Sequence, residues 1–284
     1  MPPWLSYVLL TFAASAPFYI ALRRLPPPTE ESNPLDRAVR QLMWVPGLVA
    51  LGFIAFNRSG FDTSVLGMGD RPWLLLAAFF LPLVMEFLLI FLSIRLKLGS
   101  LDSSLYNARG GWITFSPSIR LVLGHTKQTY FKFAVNIAAT VGVAAAFSLI
   151  FSFAEELGWR GYLQGLLIDR FDLAWGVFLG GLLWGLWYAP LVLKGFRFPG
   201  YPKLGAFLFM PLFTVSAGIV TGWLFWISGS LWAAAIFNAA LKVTAPISEA
   251  ALGDAGASRR VRIVWLWLWA LLAGLVLTLW YASL

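Results

Sequence analysis

Uninterrupted apolar runs divide the chain into eight segments, at about 4–22, 39–56, 73–94, 131–165, 173–193, 205–227, 230–252 and 261–281. Each is close to the roughly 20 residues an α-helix needs to cross a bilayer. The pattern predicts an all-α fold: a polytopic integral membrane helical bundle of about eight transmembrane helices, forming a single transmembrane domain over 1–284. Pro46 and Gly47 interrupt the second segment, which predicts a break or a partly re-entrant course there. The first segment is too long, and too poor in basic flanking residues, to be a cleaved signal peptide. Pro26 to Pro34 reads as a stiff polar connector. The longest extramembrane piece is 95–130, punctuated by Ser103, Asn107, Gly110, Gly111, Ser116 and Pro117. Trp112, Ile113 and Phe115 are expected to rest in the membrane interface there. Trp4, Trp73, Trp223, Trp226, Trp280 and Tyr281 sit at helix ends, as an aromatic belt predicts. No internal repeat, low-complexity tract or soluble domain is visible.

Composition turns membrane residence into a firm reading: 60% of residues are hydrophobic and 12% charged, with mean hydropathy +0.77. That charged share is about half the usual one in soluble domains. Sixteen of the 21 Lys and Arg residues lie in or beside the segments that follow the first, third, fifth and seventh runs. Four accompany the segments after the second and fourth, and Lys242 stands inside the seventh run. The positive-inside rule then predicts a multi-pass protein of the plasma membrane with both termini outside. The net charge of +8 is spread over four loops, so it points to anionic lipid and not to nucleic acid as a partner. There is no cysteine, and His125, the one histidine, lies in a polar loop. Zinc sites usually take three or four protein ligands, so this chain argues against a conventional zinc protease, and no metal or other cofactor is expected.

Charge inside the apolar runs is expensive, and intramembrane ionisable groups are functional candidates for that reason. Glu155 and Glu156 follow the run from Phe147 to Phe153, with Arg160 one turn later. Two neighbouring carboxylates repel each other, and the pair is expected to share a proton, an arrangement suited to acid–base work on water. The polar turn Asp169-Arg170-Phe171-Asp172 reverses the chain, with Glu155 and Tyr188 at similar distances on either side of it. At 1.5 Å per residue both lie roughly 22–25 Å along their helices and share one depth. Gly176, Gly180, Gly181 and Gly185 permit close approach of another helix, and Pro190 frees a backbone carbonyl near the same level. Asn238 and Lys242, four residues apart, share a helix face and reach that level from the seventh segment. Glu86 is a further intramembrane carboxylate with no assigned role. The plainer alternative is that these groups only satisfy one another and glue helices together.

The order Glu155-Glu156-x-x-x-Arg160, then Trp184-Gly185-Leu186-Trp187-Tyr188-Ala189-Pro190, then Ser230-Leu231-Trp232 running to Asn238, resembles the CPBP family. That family comprises the type II CAAX prenyl proteases and related bacteriocin-processing and self-immunity membrane proteins. The resemblance covers a core of about 130–245. It implies that Glu155 activates the attacking water, with Glu156 assisting and Arg160 orienting the pair. It also implies a histidine at the position of Tyr188, and a histidine and an asparagine at those of Asn238 and Lys242. Histidine shares a proton with a carboxylate near neutral pH, which tyrosine does poorly. Tyr188 and Asn238 still offer hydrogen bonds to an oxyanion. Lys242 within reach of Glu155 would pair with it and weaken it as a base.

Two functional readings follow. One is an intramembrane endopeptidase homologue, impaired by these replacements, that hydrolyses a hydrophobic or prenylated peptide near the membrane surface. The other is a non-catalytic bacterial membrane protein that binds a peptide, a lipid or a membrane-protein partner in the same cavity, as in self-immunity. A transporter is weaker, since no repeat relates the halves. The charge bias makes a direct prediction of topology. Reporter fusions after residues 30, 110, 198 and 257 should report cytoplasm, and fusions at both termini the outside. A cytoplasmic C-terminus would reveal a miscounted span, first of all the one containing Pro46.

Overall fold

The computed structural model describes residues 1–25, 34–57, 61–116, 119 and 121–283. The connector expected from Pro26, apart from Pro34, lies outside the described residues, as does Pro117. In chain order the helices are α1 (Pro3–Ala21), α2 (Pro34–Leu42), α3 (Trp44–Asn57), α4 (Trp73–Arg95), α5 (Tyr130–Glu156) and α6 (Gly165–Leu193). They continue as α7 (Pro202–Leu204), α8 (Met210–Ser228), α9 (Leu231–Thr244), α10 (Pro246–Leu252) and α11 (Arg259–Ala282). A π-helical stretch, Leu157–Gln164, joins α5 to α6, and another, Gly205–Phe209, joins α7 to α8.

Among the described residues, seven continuous helical segments are long and apolar enough to cross a membrane. One of them, Tyr130–Leu193, has 64 residues, about three times what one crossing needs. It doubles back at Asp172, whose φ of 72° breaks the helix and whose carboxylate caps the Trp175 N–H at 3.0 Å. The two legs touch: a Cβ on Gly176 would sit 2.7 Å from the Ile168 backbone. Counted by legs, the described residues form a polytopic bundle of eight spans. The second run breaks earlier than the Pro46-Gly47 pair suggested, at Met43. Pro46 instead falls in the first turn of α3, where a helix leaves its N–H groups unpaired and proline is tolerated. The short α2 is amphipathic, with Val39 and Leu42 buried and Asp36, Arg37 and Arg40 exposed.

α9 is the axis of the bundle. Ala233, Ala234, Ala235, Ala239 and Ala240 are all buried, and α5, α4 and α8 pack around them. α6 lies against α8 across glycines: a Cβ on Gly181 would meet Val215 Cα at 2.5 Å, and one on Gly185 would meet Pro211 Cα at 2.7 Å. α3 approaches α5 in the same way, since a Cβ on Gly47 would meet the Ala154 carbonyl at 2.3 Å. α11 presents Val261, Trp265, Trp269, Ala273, Val276 and Trp280 as one buried stripe and packs on α8. Trp280 therefore belongs to the core and not to an interfacial belt, whereas Trp73, Trp226 and Tyr281 are exposed.

The long extramembrane segment holds the short strands among the described residues of this otherwise helical fold. It forms a three-stranded antiparallel meander, β1 (Tyr106–Arg109), β2 (Trp112–Phe115) and β3 (Lys127–Thr129), with Arg109 opposite Trp112 and Ile113 opposite Gln128. Gly110 and Gly111, at φ of 59° and 82°, make the two-residue turn that positive φ permits. Ile113 and Phe115 are buried, Phe115 lying 5.5 Å from Phe133, while Trp112 alone of the three is exposed. The glycine seams predict that Gly181→Ala and Gly185→Ala each destabilise the protein by about 1–3 kcal/mol through overpacking. Gly274→Ala, with open space around it, should be neutral or stabilising. Thermal unfolding in detergent checks all three.

Candidate functional site

The six polar residues singled out in the sequence converge on one buried cluster. Glu155 and Glu156 end α5 and are both fully buried. The Glu155 Oε1 accepts from the Trp184 indole N–H at 2.7 Å and from the Tyr188 hydroxyl at 2.9 Å. Its Oε2 accepts from the Lys242 ammonium at 2.7 Å and from the Asn238 amide at 3.2 Å. Glu156 takes a second Asn238 amide bond at 2.6 Å and an ion pair from Arg160 at 2.9 Å. Lys242 also donates to the Asn238 carbonyl at 2.5 Å.

The local backbone explains the meeting. Trp184 and Tyr188 are one turn apart on α6, Asn238 and Lys242 one turn apart on α9, and the hairpin at Asp172 returns α6 to the depth of Glu155. The π-helical stretch after Glu156 widens the backbone where Arg160 must turn back on the carboxylates, and such insertions are frequent at functional sites. Gly158 lets this stretch press on α1 and α3, since a Cβ there would meet the Tyr7 hydroxyl at 2.4 Å. Gly218 and Gly222 of α8 leave room for Arg160 and Gln164.

Each carboxylate therefore has its own cation, Lys242 for Glu155 and Arg160 for Glu156. The expected mutual repulsion is offset in this way, and the cluster carries no formal net charge with all four groups ionised. An ionised carboxylate offers about four acceptor positions. Those of Glu155 are filled by four protein donors. Trp184 is the member whose role sequence reasoning missed. Its indole binds Glu155 while its ring lies 4.4 Å under the Arg160 guanidinium, so it tethers both halves of the site. A tryptophan one turn before Tyr188 was the available signal.

A cavity of about 710 Å³ reaches the cluster at Lys242. Its walls come from α2 (Val39, Arg40), α5 (Phe147, Phe151) and the turn after α6 (Arg197). Glu155 is behind Lys242 and not on the wall. Near Pro190, the Trp187 carbonyl accepts from the Tyr19 hydroxyl at 2.7 Å. Glu86 lies apart from the cluster, buried, with the Trp265 indole N–H at 3.3 Å and Arg197, Arg262 and Ser248 in its surroundings. His125 is exposed in its loop. Among the described residues, no three His, Cys, Asp or Glu side chains group as metal ligands.

The described residues thus form a polytopic helical membrane bundle with two neighbouring glutamates buried between its helices. Residues 136–244, which hold all six site residues, match the family model of type II CAAX prenyl endopeptidase Rce1-like proteins. The matched segment is less than half of the chain, and over it the protein is similar to those endopeptidases. No curated protein sequence matches the chain.

The cluster predicts a stability test. Lys242→Met should cost about 3–5 kcal/mol, because it strands a buried carboxylate. Adding Glu155→Gln should recover a large part of that loss, and additive effects in a double-mutant cycle read by chemical unfolding would show that the pair is uncoupled.

Proposed function

We propose that the chain is a glutamate-site intramembrane endopeptidase homologue whose hydrolytic power is held down by Lys242. The single supporting observation is the 2.7 Å contact between the Lys242 ammonium and Glu155 Oε2. In this reading Glu155 takes a proton from water as the water oxygen attacks the scissile carbonyl carbon. The carbonyl oxygen becomes an oxyanion that accepts from the Tyr188 hydroxyl and the Asn238 amide. Collapse breaks the C–N bond, and the proton held by Glu155 goes to the leaving amine. Glu156 and Arg160 hold the geometry. No metal is invoked, because the two carboxylates are each already neutralised by a cation.

Water needs one of the four filled acceptor positions on Glu155. Displacing Lys242 would expose an unpaired ammonium or require it to swing into the cavity, so the resting site is a poor base. The same observation favours a second reading, in which the filled cluster is structural and the cavity holds a hydrophobic or prenylated peptide, or a membrane partner, without cleaving it. Both readings place the protein in a bacterial plasma membrane with its termini outside.

The combined substitution Tyr188→His, Asn238→His and Lys242→Asn rebuilds the polar set that the resemblance implies. It should raise cleavage of a prenylated or hydrophobic reporter peptide, and Glu155→Gln should abolish that gain. Native cleavage should be slower by about 10²–10⁴, the usual contribution of a general acid–base partner. Robust native cleavage that depends on Glu155 would overturn the impaired reading. No gain in a well-folded triple variant would leave the binding role as the better account.

A further inference from the structure

The cavity beside Lys242 has a feature that peptide hydrolysis does not use. Its charged wall consists of Arg40, Arg197, Lys242 and Arg262, against Asp36 and Glu249. Lys242 is committed to Glu155 and Arg262 to Glu249. Arg40 and Arg197 face the same space; Glu86 lies in the surroundings of Arg197 without an ion pair to it, and Arg197 carries a buried Nη1 with no hydrogen-bond partner. Burial, with Arg262 beside it, pushes the Arg197 guanidinium down to about 10, so it stays cationic at neutral pH.

Arg197 is also held in an unfavourable backbone. Its φ is 61°, and the Phe198 N–H bonds the Phe196 carbonyl at 2.8 Å across it, which makes it the centre of a positive-φ γ-turn. Strain of that kind in a residue other than glycine is a reason to look for a function. The turn lays the guanidinium over the rings of Phe196 and Phe213, 5.7 and 5.6 Å from their centroids. Those rings pin it without supplying an acceptor.

The rest of the cavity wall is apolar and elongated. Ala144, Phe147, Ser148 and Phe151 recur every three or four residues, one stripe of α5 about 10 Å long. Phe147 is 78% exposed, so the stripe is open at that end of the cavity. Opposite it, α2 carries Arg37 and Arg40 on its exposed face and Val39 on its buried one, the pattern of a helix lying in the headgroup layer. At about 710 Å³ the space is of ligand size.

We propose that this cavity is a binding site for an acidic phospholipid, with the phosphate headgroup held by Arg197 and Arg40 and an acyl chain laid along the Phe147–Phe151 stripe of α5. Guanidinium forks match phosphate oxygens in geometry and charge. A bound lipid here would stand at the approach to Lys242, so substrate entry would require its displacement. The proposal deepens the cavity reading above, but it does not depend on hydrolysis. Lipid retention and peptide cleavage are read separately, and either can fail alone.

The test uses the full-length protein reconstituted in an equimolar mixture of phosphatidylglycerol and phosphatidylcholine, with retained lipid counted by native mass spectrometry. Phosphatidylglycerol should be retained at least about tenfold over phosphatidylcholine, a factor worth 1.4 kcal/mol. Arg197→Gln and Arg40→Gln should each reduce that preference several-fold. Arg40 is exposed, so its variant keeps the test decisive if the Arg197 variant misfolds. Equal retention of the two lipids by the native protein would overturn the proposal. So would displacement by inorganic phosphate that is indifferent to acyl chain length, which would mark a free-anion site. Displacement by a hydrophobic peptide carboxylate in preference to phosphatidylglycerol would reassign the cavity to a peptide and overturn it as well.

Discussion

Two carboxylates buried without exposure at the end of a membrane helix are the constraint on which the rest of the structure depends. A single ionised carboxylate in a low-dielectric interior is prohibitively costly unless a cation and hydrogen-bond donors meet it. Glu155 and Glu156 together need two cations and several donors, and no single helix can supply them. Arg160 comes from the same chain segment, one turn on from Glu156. Trp184 and Tyr188 come from α6, which must double back at Asp172 to deliver them. Asn238 and Lys242 come from α9, which must run through the centre of the bundle to reach both acids.

That requirement explains where the chain uses small residues. Alanines line α9 because α5, α4 and α8 all crowd it, and glycines line α6 where α8 presses closest. Gly158, Gly218 and Gly222 stand around the π-helical stretch, where the Arg160 and Gln164 side chains need space. Lipid provides little hydrophobic driving force between helices, so packing and polar contacts carry the association. A buried ion network contributes little net stability against an apolar replacement, but breaking it is severe. The network is thus better understood as setting helix register and depth than as supplying stability.

The hairpin and the meeting of all six polar residues were legible from spacing, because depth along a helix is arithmetic once the turn is located. The spans were legible too, since bilayer thickness imposes their length. Three things were not. The Gly110-Gly111 turn flanked by alternating residues was a hairpin signal, but it stood among Ser, Asn and Pro residues that read as loop punctuation. The break at Met43 came from proline's preference for the first turn of a helix, which moves the interruption upstream of the proline itself. Trp184 was hidden because a tryptophan in an apolar helix usually packs, and only its 2.7 Å contact with Glu155 shows its indole N–H in use. Arg197 was read as one more basic loop residue, since its burial depends on a turn that no periodicity encodes.

The partners of Glu155 also constrain what the site can do chemically. The Trp184 indole, the Tyr188 hydroxyl, the Asn238 amide and the Lys242 ammonium all reach it as donors. A general base must first collect a proton from water, and for that one of its acceptor positions has to be free. These four donors occupy the positions of Glu155, so water gains one only when a donor lets go. The cluster is built to keep Glu155 anionic and stationary, which serves helix positioning better than proton transfer. Cleavage through this site therefore requires the substrate itself to rearrange the network. Lys242 is the element able to yield, because it alone of the four stands at the cavity wall.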